Sequence, residues 1–302
     1  MKTSYAALQL TAFTMLIFAS CTTTQGPIVT EVQKPKIALV LGGGAARGFA
    51  HVGVIRVLEQ EKVPIDMIVG TSVGSLIGAI YASDPNSFEL EWTAFSLEKD
   101  NLIDYGVFSA ITGMGPVKGE KLEEFVRNNV HVMNIEDLKI PFAAVATDLN
   151  RGTRVVIDHG PVAKAVRASS AIPGVFNPVA YQSRLLVDGG VVANIPIAVA
   201  RERGADIVIA VDISENVTNF NITNAIDVML QAVTIITSEN AKYQKRQADV
   251  LISPAVGDVS MLDFTKKKMC MQAGIDAAQM AMPEIKSKIA EWSKKKLSAA
   301  VK

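Results

Sequence analysis

Ser72 lies in Gly70-Thr71-Ser72-Val73-Gly74, directly after the apolar run Met67-Ile68-Val69 and ahead of Leu76-Ile77-Gly78-Ala79-Ile80. That order reads as a strand, a sharp turn and a helix, with the serine on the turn. Glycines on both sides let strand and helix pack closely while a strained backbone lifts the hydroxyl clear of the sheet. The chemistry implied is nucleophilic attack by the serine, which needs a base to take its proton. The chain has three histidines, His51, His131 and His159, and none beyond them. His159, between Asp158 and Gly160, reads as part of a polar turn, and His131 as structural or exposed. His51, three residues beyond Gly48, reads as a packing or helix-anchoring residue. The base therefore stays open on these grounds.

A second chemical feature is the glycine run Gly42-Gly43-Gly44 that ends Ile37-Ala38-Leu39-Val40-Leu41. One reading is a dinucleotide loop, in which a glycine-rich turn cradles a pyrophosphate on a helix N-terminus. The spacing fits poorly, because the third glycine slot counted from Gly42 holds Arg47 and the middle slot counted from Gly43 holds Ala45. The next strand also ends in Gly70-Thr71-Ser72 where a ribose-binding acid is required. The other reading is an oxyanion hole, with backbone amides at Gly43, Gly44 and Ala45 facing a developing negative oxygen. Loss of one such donor typically costs roughly 100- to 1000-fold in rate. Arg47 has two readings of its own: it orients the loop or attracts a phosphate head group, or it is a structural hydrogen-bond donor.

Three ordered motifs now stand together. Gly43-Gly44-Ala45-Ala46-Arg47-Gly48-Phe49-Ala50-His51-Val52-Gly53 is followed by Gly70-Thr71-Ser72-Val73-Gly74 and then Asp188-Gly189-Gly190. With Arg167-Ala168-Ser169-Ser170-Ala171-Ile172-Pro173-Gly174-Val175-Phe176, this resembles the patatin-like phospholipase family, close to its bacterial members, over roughly residues 36 to 260. The resemblance implies a three-layer α/β/α fold with a mostly parallel central sheet. It also implies a Ser-Asp dyad without a catalytic histidine, in which Ser72 attacks acyl esters and Asp188 is the base. The implied substrates are membrane phospholipids or lysophospholipids, and no metal or organic cofactor is required. Ala45 departs from the family's usual third glycine, and Asn177 stands where related sequences often have proline.

Residue chemistry agrees with a dyad, since an α/β-hydrolase triad runs serine, acid, histidine, and no histidine follows Asp188. Aspartate, with a reference pKa of ~3.9, is a weak base that needs close contact and a partly dry setting to draw a proton from serine. Gly189 and Gly190 leave room for that contact, and Leu185-Leu186-Val187 delivers Asp188 from a strand end. Asp148, Asp158 and Asp212 are rival acids without a flanking glycine pair. Without a histidine base, the acidic limb of kcat/KM is expected away from ~6.5. A reading of another class keeps the same fold as a catalytically weak lipid-binding or scaffolding module.

The elements that position these residues are short apolar runs. Ile37–Leu41 is apolar throughout, as a parallel strand covered on both faces must be. From Gly48 to Glu61 the positions Phe49, Val52, Ile55 and Leu58 mark one face of a helix. Strand Met67–Val69 and the helix behind Ser72 complete βαβα, which implies right-handed crossovers in a parallel sheet. Phe142–Ala146, Leu185–Val187 and Ile207–Val211 continue the alternation, and Val250–Ile252 is the expected last strand. A closing helix from about Thr265 to Lys302 is expected to break at Pro283. Residues 85–117, with Trp92, Phe95, Tyr105 and Phe108, form either a cap over the site or ordinary helix packing.

Composition bounds the rest. The 302 residues, 49% hydrophobic, suffice for one large core. Lys+Arg and Asp+Glu both number 30, a balance without the footprint of a nucleic-acid binder. At the N-terminus, Lys2 precedes an apolar stretch from Ala6 to Ala19, the layout of a signal peptide and too short for a membrane span. Phe18-Ala19-Ser20-Cys21 resembles a bacterial lipobox, with Phe18 in place of the usual leucine. The expected organisation is a signal peptide at 1–20, a lipidated tether at 21–35 starting with Cys21, and a catalytic domain at 36–302. The chain is thus expected to be an exported lipoprotein of the cell envelope, and Thr22 favours the outer membrane. Cys270 is then the remaining cysteine, so no intrachain disulfide forms. The lysine-rich end, Lys286 to Lys296, reads as a solvated helix face.

Overall fold

Strand β1 (Ile37–Leu41) is buried at every position and has parallel neighbours on both sides, β2 (Met67–Thr71) and β7 (Ile207–Val211). The apolar run predicts this, because only a strand covered on both faces has no polar side. The structure, a computed structural model, describes residues 34–98, 117–214, 216–217, 222–261 and 263–300. All belong to a unit spanning Gln33–Lys302. The expected signal peptide, Cys21, the tether up to residue 33, and Tyr105 and Phe108 lie outside the described residues.

Eight strands form one sheet, hydrogen-bonded in the order β5-β6-β3-β2-β1-β7-β8, with β4 also paired to β3. Here β3 is Phe142–Asp148, β4 Thr153–Ile157, β5 Val179–Tyr181, β6 Arg184–Asp188 and β8 Val250–Ile252. Alternate side chains of β1 feed two separate cores. Ile37, Leu39 and Leu41 pack with α1 (Phe49–Gln60), α2 (Val73–Ser83) and α9 (Lys267–Ala300), whereas Ala38 and Val40 pack with α7 (Ile197–Glu202). The result is the expected three-layer α/β/α arrangement with a mostly parallel centre. Between these elements run α3 (Ser87–Ser96), α4 (Glu120–Asn129), α5 (Val162–Ser169), α6 (Gly190–Ala193) and α8 (Ala225–Gln244).

Two sequence expectations need correction. Leu185–Val187 does not continue the parallel alternation: β6 runs antiparallel to β3, reached through the short strands β4 and β5. The closing helix does not break at Pro283. It runs from Lys267 to Ala300 with the proline inside, and both Pro283 and Gln279, whose carbonyl loses its partner, are exposed and can turn to water. Of the segment 85–117, left open as cap or helix packing, residues 99–116 lie outside the described residues; α3 sets Phe95 against Phe49 with ring centroids 6.0 Å apart, and Val117 bridges to Phe176.

The register of β3 brings the site together. β2 pairs with β3 as far as Thr71 opposite Val145, and β6 takes up the same edge one residue on, with Asp188 opposite Ala146. β4 occupies the opposite edge. Ser72, the residue after Thr71, and Asp188, the last of β6, therefore meet where two strands abut along one edge of a third.

Candidate active site

Ser72 has φ 54° and ψ −127°, in the left-handed half of backbone space that disfavours a side chain. The turn is held closed from several directions. The Ser72 amide donates to Ser169 Oγ at 2.9 Å, and Ser169 Oγ donates to Val145 O at 2.6 Å. The Ser72 carbonyl accepts from Ser75 Oγ at 2.6 Å and from the Ser75 amide at 2.8 Å. The flanking glycines are required by proximity. A Cβ on Gly74 would stand 2.2 Å from Leu41 O, and one on Gly70 would stand 2.5 Å from Gly74 O.

Ser72 and Asp188 line the same cavity, and the Ser72 hydroxyl beside the carboxylate favours its charged form. Both residues are 6% exposed. Burial pushes the Asp188 carboxyl up to about 6, against the pull of two donors, the Ser72 hydroxyl and the Gly190 amide at 2.7 Å from Oδ1. Thr147 Oγ1 holds the Asp188 carbonyl at 2.9 Å, and the Asp188 amide donates to Ala171 O at 2.9 Å. Gly189 is a glycine because a Cβ there would lie 2.1 Å from Val145 O. The glycine pair does admit the carboxylate, by letting the chain press against β3.

The glycine loop lines the same cavity, which encloses about 40 Å³ beside Ser72, Asp188, Asn194 and Ser214. It presents a narrower set of donors than expected. The Gly43 amide is engaged with Asn194 O at 3.1 Å and the Arg47 amide with Gly44 O at 3.1 Å, so neither is available to an oxyanion as the loop stands. Among the described residues, the amides of Gly44 and Ala45 make no such backbone bond. Ala45 itself sits at φ 49°, so the alanine in the third glycine slot is under backbone strain. The Arg47 side chain, 2% exposed, donates to Ile213 O and Val259 O, both at 2.9 Å. That is the structural reading of Arg47: it clamps the loop to its neighbours.

No imidazole enters this arrangement. His51 is fully buried, its Nε2 at 2.8 Å from Gly42 O, and burial lowers its pKa to about 4 against the opposing effects of that bond and the Asp212 charge. It is a neutral anchor for the glycine loop. His131 is exposed, and His159 is exposed and paired with Asp158. The rival acids have other work: Asp148 accepts from the Asn150 and Arg151 amides, Asp158 pairs with Arg203, and Asp212 accepts from Ser214 and Lys245. Among the described residues, no three His, Cys, Asp or Glu side chains gather as metal ligands.

Two positions escaped the sequence reading. Ser169 lay in the segment noted for its resemblance, but nothing in its spacing shows that its hydroxyl braces the elbow. Asn194 bridges the loop and the glycine pair. Its Oδ1 is 2.6 Å from where a Gly43 Cβ would stand and 3.0 Å from the equivalent point on Gly190. Its Nδ2 donates to Ser214 Oγ at 3.4 Å.

Fold and site together define an α/β protein with a strained serine and a buried carboxylate in one cavity. The patatin-like phospholipase family matches residues 39–201, and the chain belongs to this family. An uncharacterized NTE family protein of Mycobacterium tuberculosis is 39% identical over 180 residues, 60% of this chain and 49% of the relative. Lysophospholipase NTE1 of Scheffersomyces stipitis is 29% identical over 280 residues, 80% of this chain and 18% of the relative. The match thus spans about half of the mycobacterial protein and less than a fifth of the yeast one. Among solved structures, VipD from Legionella pneumophila shares the fold, with a TM-score of 0.56 at 13% identity over 85% of this chain and 67% of that one.

Proposed function

We propose that this protein is a serine-dependent lipid acyl hydrolase of the phospholipase A or lysophospholipase type. The observation that carries the reading is the strained Ser72 set in one cavity with the buried Asp188 carboxylate, which burial raises to about 6, close to the pKa of a working base. Family membership supports the same class. In the cycle, Asp188 accepts the Ser72 proton as Oγ attacks the ester carbonyl, and the Gly44 and Ala45 amides receive the oxyanion. The positive end of α2, which begins at Val73, adds to that stabilisation. The leaving alkoxide takes the proton from Asp188, and a water activated by the same carboxylate then releases the fatty acid from Ser72.

The protein reaches its substrate through a lipid on Cys21, in the cell envelope. This rests on Phe18-Ala19-Ser20-Cys21 and the apolar stretch before it. Among the described residues, no helix is long and apolar enough to cross a membrane.

Lysophosphatidylcholine and phosphatidylcholine hydrolysis by wild type and Ser72→Ala tests the activity. Loss of at least 1000-fold in the variant is expected, and equal turnover would favour a scaffold. Labelled palmitate appearing in wild type but not in Cys21→Ala tests the anchor, and label retained in the variant would sink it.

A further inference from the structure

Asn194 lies four residues beyond Gly190, one turn along the short helix α6, a spacing that sets its side chain beside that glycine and so beside Asp188. Its backbone is held whatever the side chain does. Thr71 Oγ1 donates to Ala193 O at 2.8 Å, the Gly43 amide to Asn194 O at 3.1 Å, and the Ile195 amide to Gln244 Oε1 at 2.8 Å. The residue is 6% exposed and lines the Ser72 cavity. The catalytic cycle described above gives this buried carboxamide no task, although a buried polar group needs partners.

The neighbours of the carboxamide decide which of its ends faces the catalytic pair. Ser214 has one hydroxyl proton and donates it to Asp212 Oδ1 at 2.6 Å, while Lys245 braces the same carboxylate at 3.4 Å. Towards Asn194 the Ser214 oxygen can therefore only accept, and Asn194 Nδ2, at 3.4 Å, is its donor. The other end, Oδ1, is turned to Ser72 and Asp188. It lies 2.6 Å, and Ser72 Cβ 3.2 Å, from the single point where a Gly43 Cβ would stand. Asn194 Oδ1 and Asp188 Oδ1 each lie 3.0 Å from the equivalent point on Gly190. Among the described residues, no protein group donates to Asn194 Oδ1. Two acceptors set this closely are bridged by one water, with hydrogen bonds of about 2.8 Å to each.

We propose that Asn194 Oδ1 and the Asp188 carboxylate together hold the water that hydrolyses the acyl-enzyme, which makes Asn194 a catalytic residue of the second half-reaction. This rests on reading the site as an acyl hydrolase. A water that donates one proton to each oxygen keeps a lone pair free for the acyl carbon on Ser72 Oγ. Asp188 takes one proton as the water oxygen bonds to that carbon. The bond from the carbon to Ser72 Oγ then breaks, Ser72 Oγ takes the proton from Asp188, and the carboxylic acid leaves. The second water proton stays on the incoming oxygen, hydrogen-bonded to Asn194, which transfers nothing. Because an acceptor oxygen repels an oxyanion, Asn194 Oδ1 does not assist the first attack.

The test is pre-steady-state hydrolysis of p-nitrophenyl butyrate by the full chain at pH 8. Wild type is compared with Asn194→Leu, which is close in shape and removes both polar atoms, and with Asn194→Asp, which restores an acceptor. Fluorophosphonate labelling of Ser72, an attack that needs no water, reports the folded elbow independently of turnover. In Asn194→Leu, labelling is expected within about threefold of wild type, while the steady rate of ester turnover falls about 10- to 100-fold and butyryl-Ser72 accumulates in the intact mass. Asn194→Asp is expected to turn over at least about tenfold faster than Asn194→Leu. Labelling slowed as much as turnover overturns the proposal, because Asn194 then supports the loop or the first attack. So does an Asn194→Leu chain that accumulates no acyl-enzyme, or an Asn194→Asp chain no faster than Asn194→Leu. A wild type that is labelled on Ser72 yet turns over no ester sinks the hydrolase reading itself, and the water site falls with it.

Discussion

Ser169 Oγ stands between the Ser72 amide at 2.9 Å and Val145 O at 2.6 Å, so one fully buried hydroxyl ties the strained elbow to the central strand β3. In Ser169→Ala the Ser72 amide and the Val145 carbonyl both lose a buried partner. The expected cost is roughly 1 to 3 kcal/mol of stability. Relaxation of the elbow should also slow fluorophosphonate labelling of Ser72 about 10- to 100-fold while the fold persists. Melting curves and labelling rates check this; a labelling rate equal to wild type would show that the elbow holds itself.

The acidic limb of kcat/KM is expected near pH 6, because burial raises the Asp188 carboxyl to about 6 and the base works only when deprotonated. The limb thus falls nearer the imidazole range than the missing histidine alone suggests, because burial raises the carboxylate. His51, lowered to about 4, does not titrate there. The limb should therefore persist in His51→Gln. A limb that disappears with His51 would contradict the assignment.

Asp188 also weakens the fold at neutral pH. Its folded pKa of about 6 lies above the ordinary 3.8, so between those values the native state holds more protons than the unfolded one, and stability falls as pH rises through the window. The shift corresponds to about 3 kcal/mol at most. Asp188→Asn, which keeps an acceptor for the Gly190 amide, should melt higher than wild type at pH 8, with the difference shrinking towards pH 4. Calorimetry at both pH values decides it, and a variant that melts lower at pH 8 would refute it.

Gly74→Ala should cost more than 3 kcal/mol or prevent folding, because its Cβ would stand 2.2 Å from the Leu41 backbone oxygen, where no side chain can give way. Gly152→Ala, with nothing within 4 Å of its Cβ but a φ of 64°, should cost about 1 kcal/mol. Soluble yield and melting temperature separate the two.

What was legible in the sequence divides along physical lines. The parallel strands β1, β2, β3 and β7 announce themselves because burial on both faces forces unbroken apolar runs. β4 buries only Val155 and Ile157 and β5 has three residues, too little pattern to read. Missing them hid the reversal that delivers Asp188 antiparallel to β3. Ser72, Asp188 and the glycine loop carry motifs, so the sequence could name them as candidates, and the structure gathers them around one cavity. Which loop amides are engaged depends on Asn194, whose place opposite Gly43 comes from tertiary packing that no local spacing encodes. Pro283 misled because the helix runs on through an exposed proline whose orphaned Gln279 carbonyl can face water, an exposure that the local sequence does not reveal.

The central claim is that Asp188, and no histidine, activates Ser72. The most direct measurement is the rate and position of fluorophosphonate attachment, read by peptide mass spectrometry in wild type and Asp188→Asn at pH 8. The account predicts a single adduct on Ser72 in wild type and a rate at least 1000-fold lower in Asp188→Asn, with the variant's fold intact. Labelling of Ser72 in Asp188→Asn at the wild-type rate, or an adduct on another residue, would contradict it.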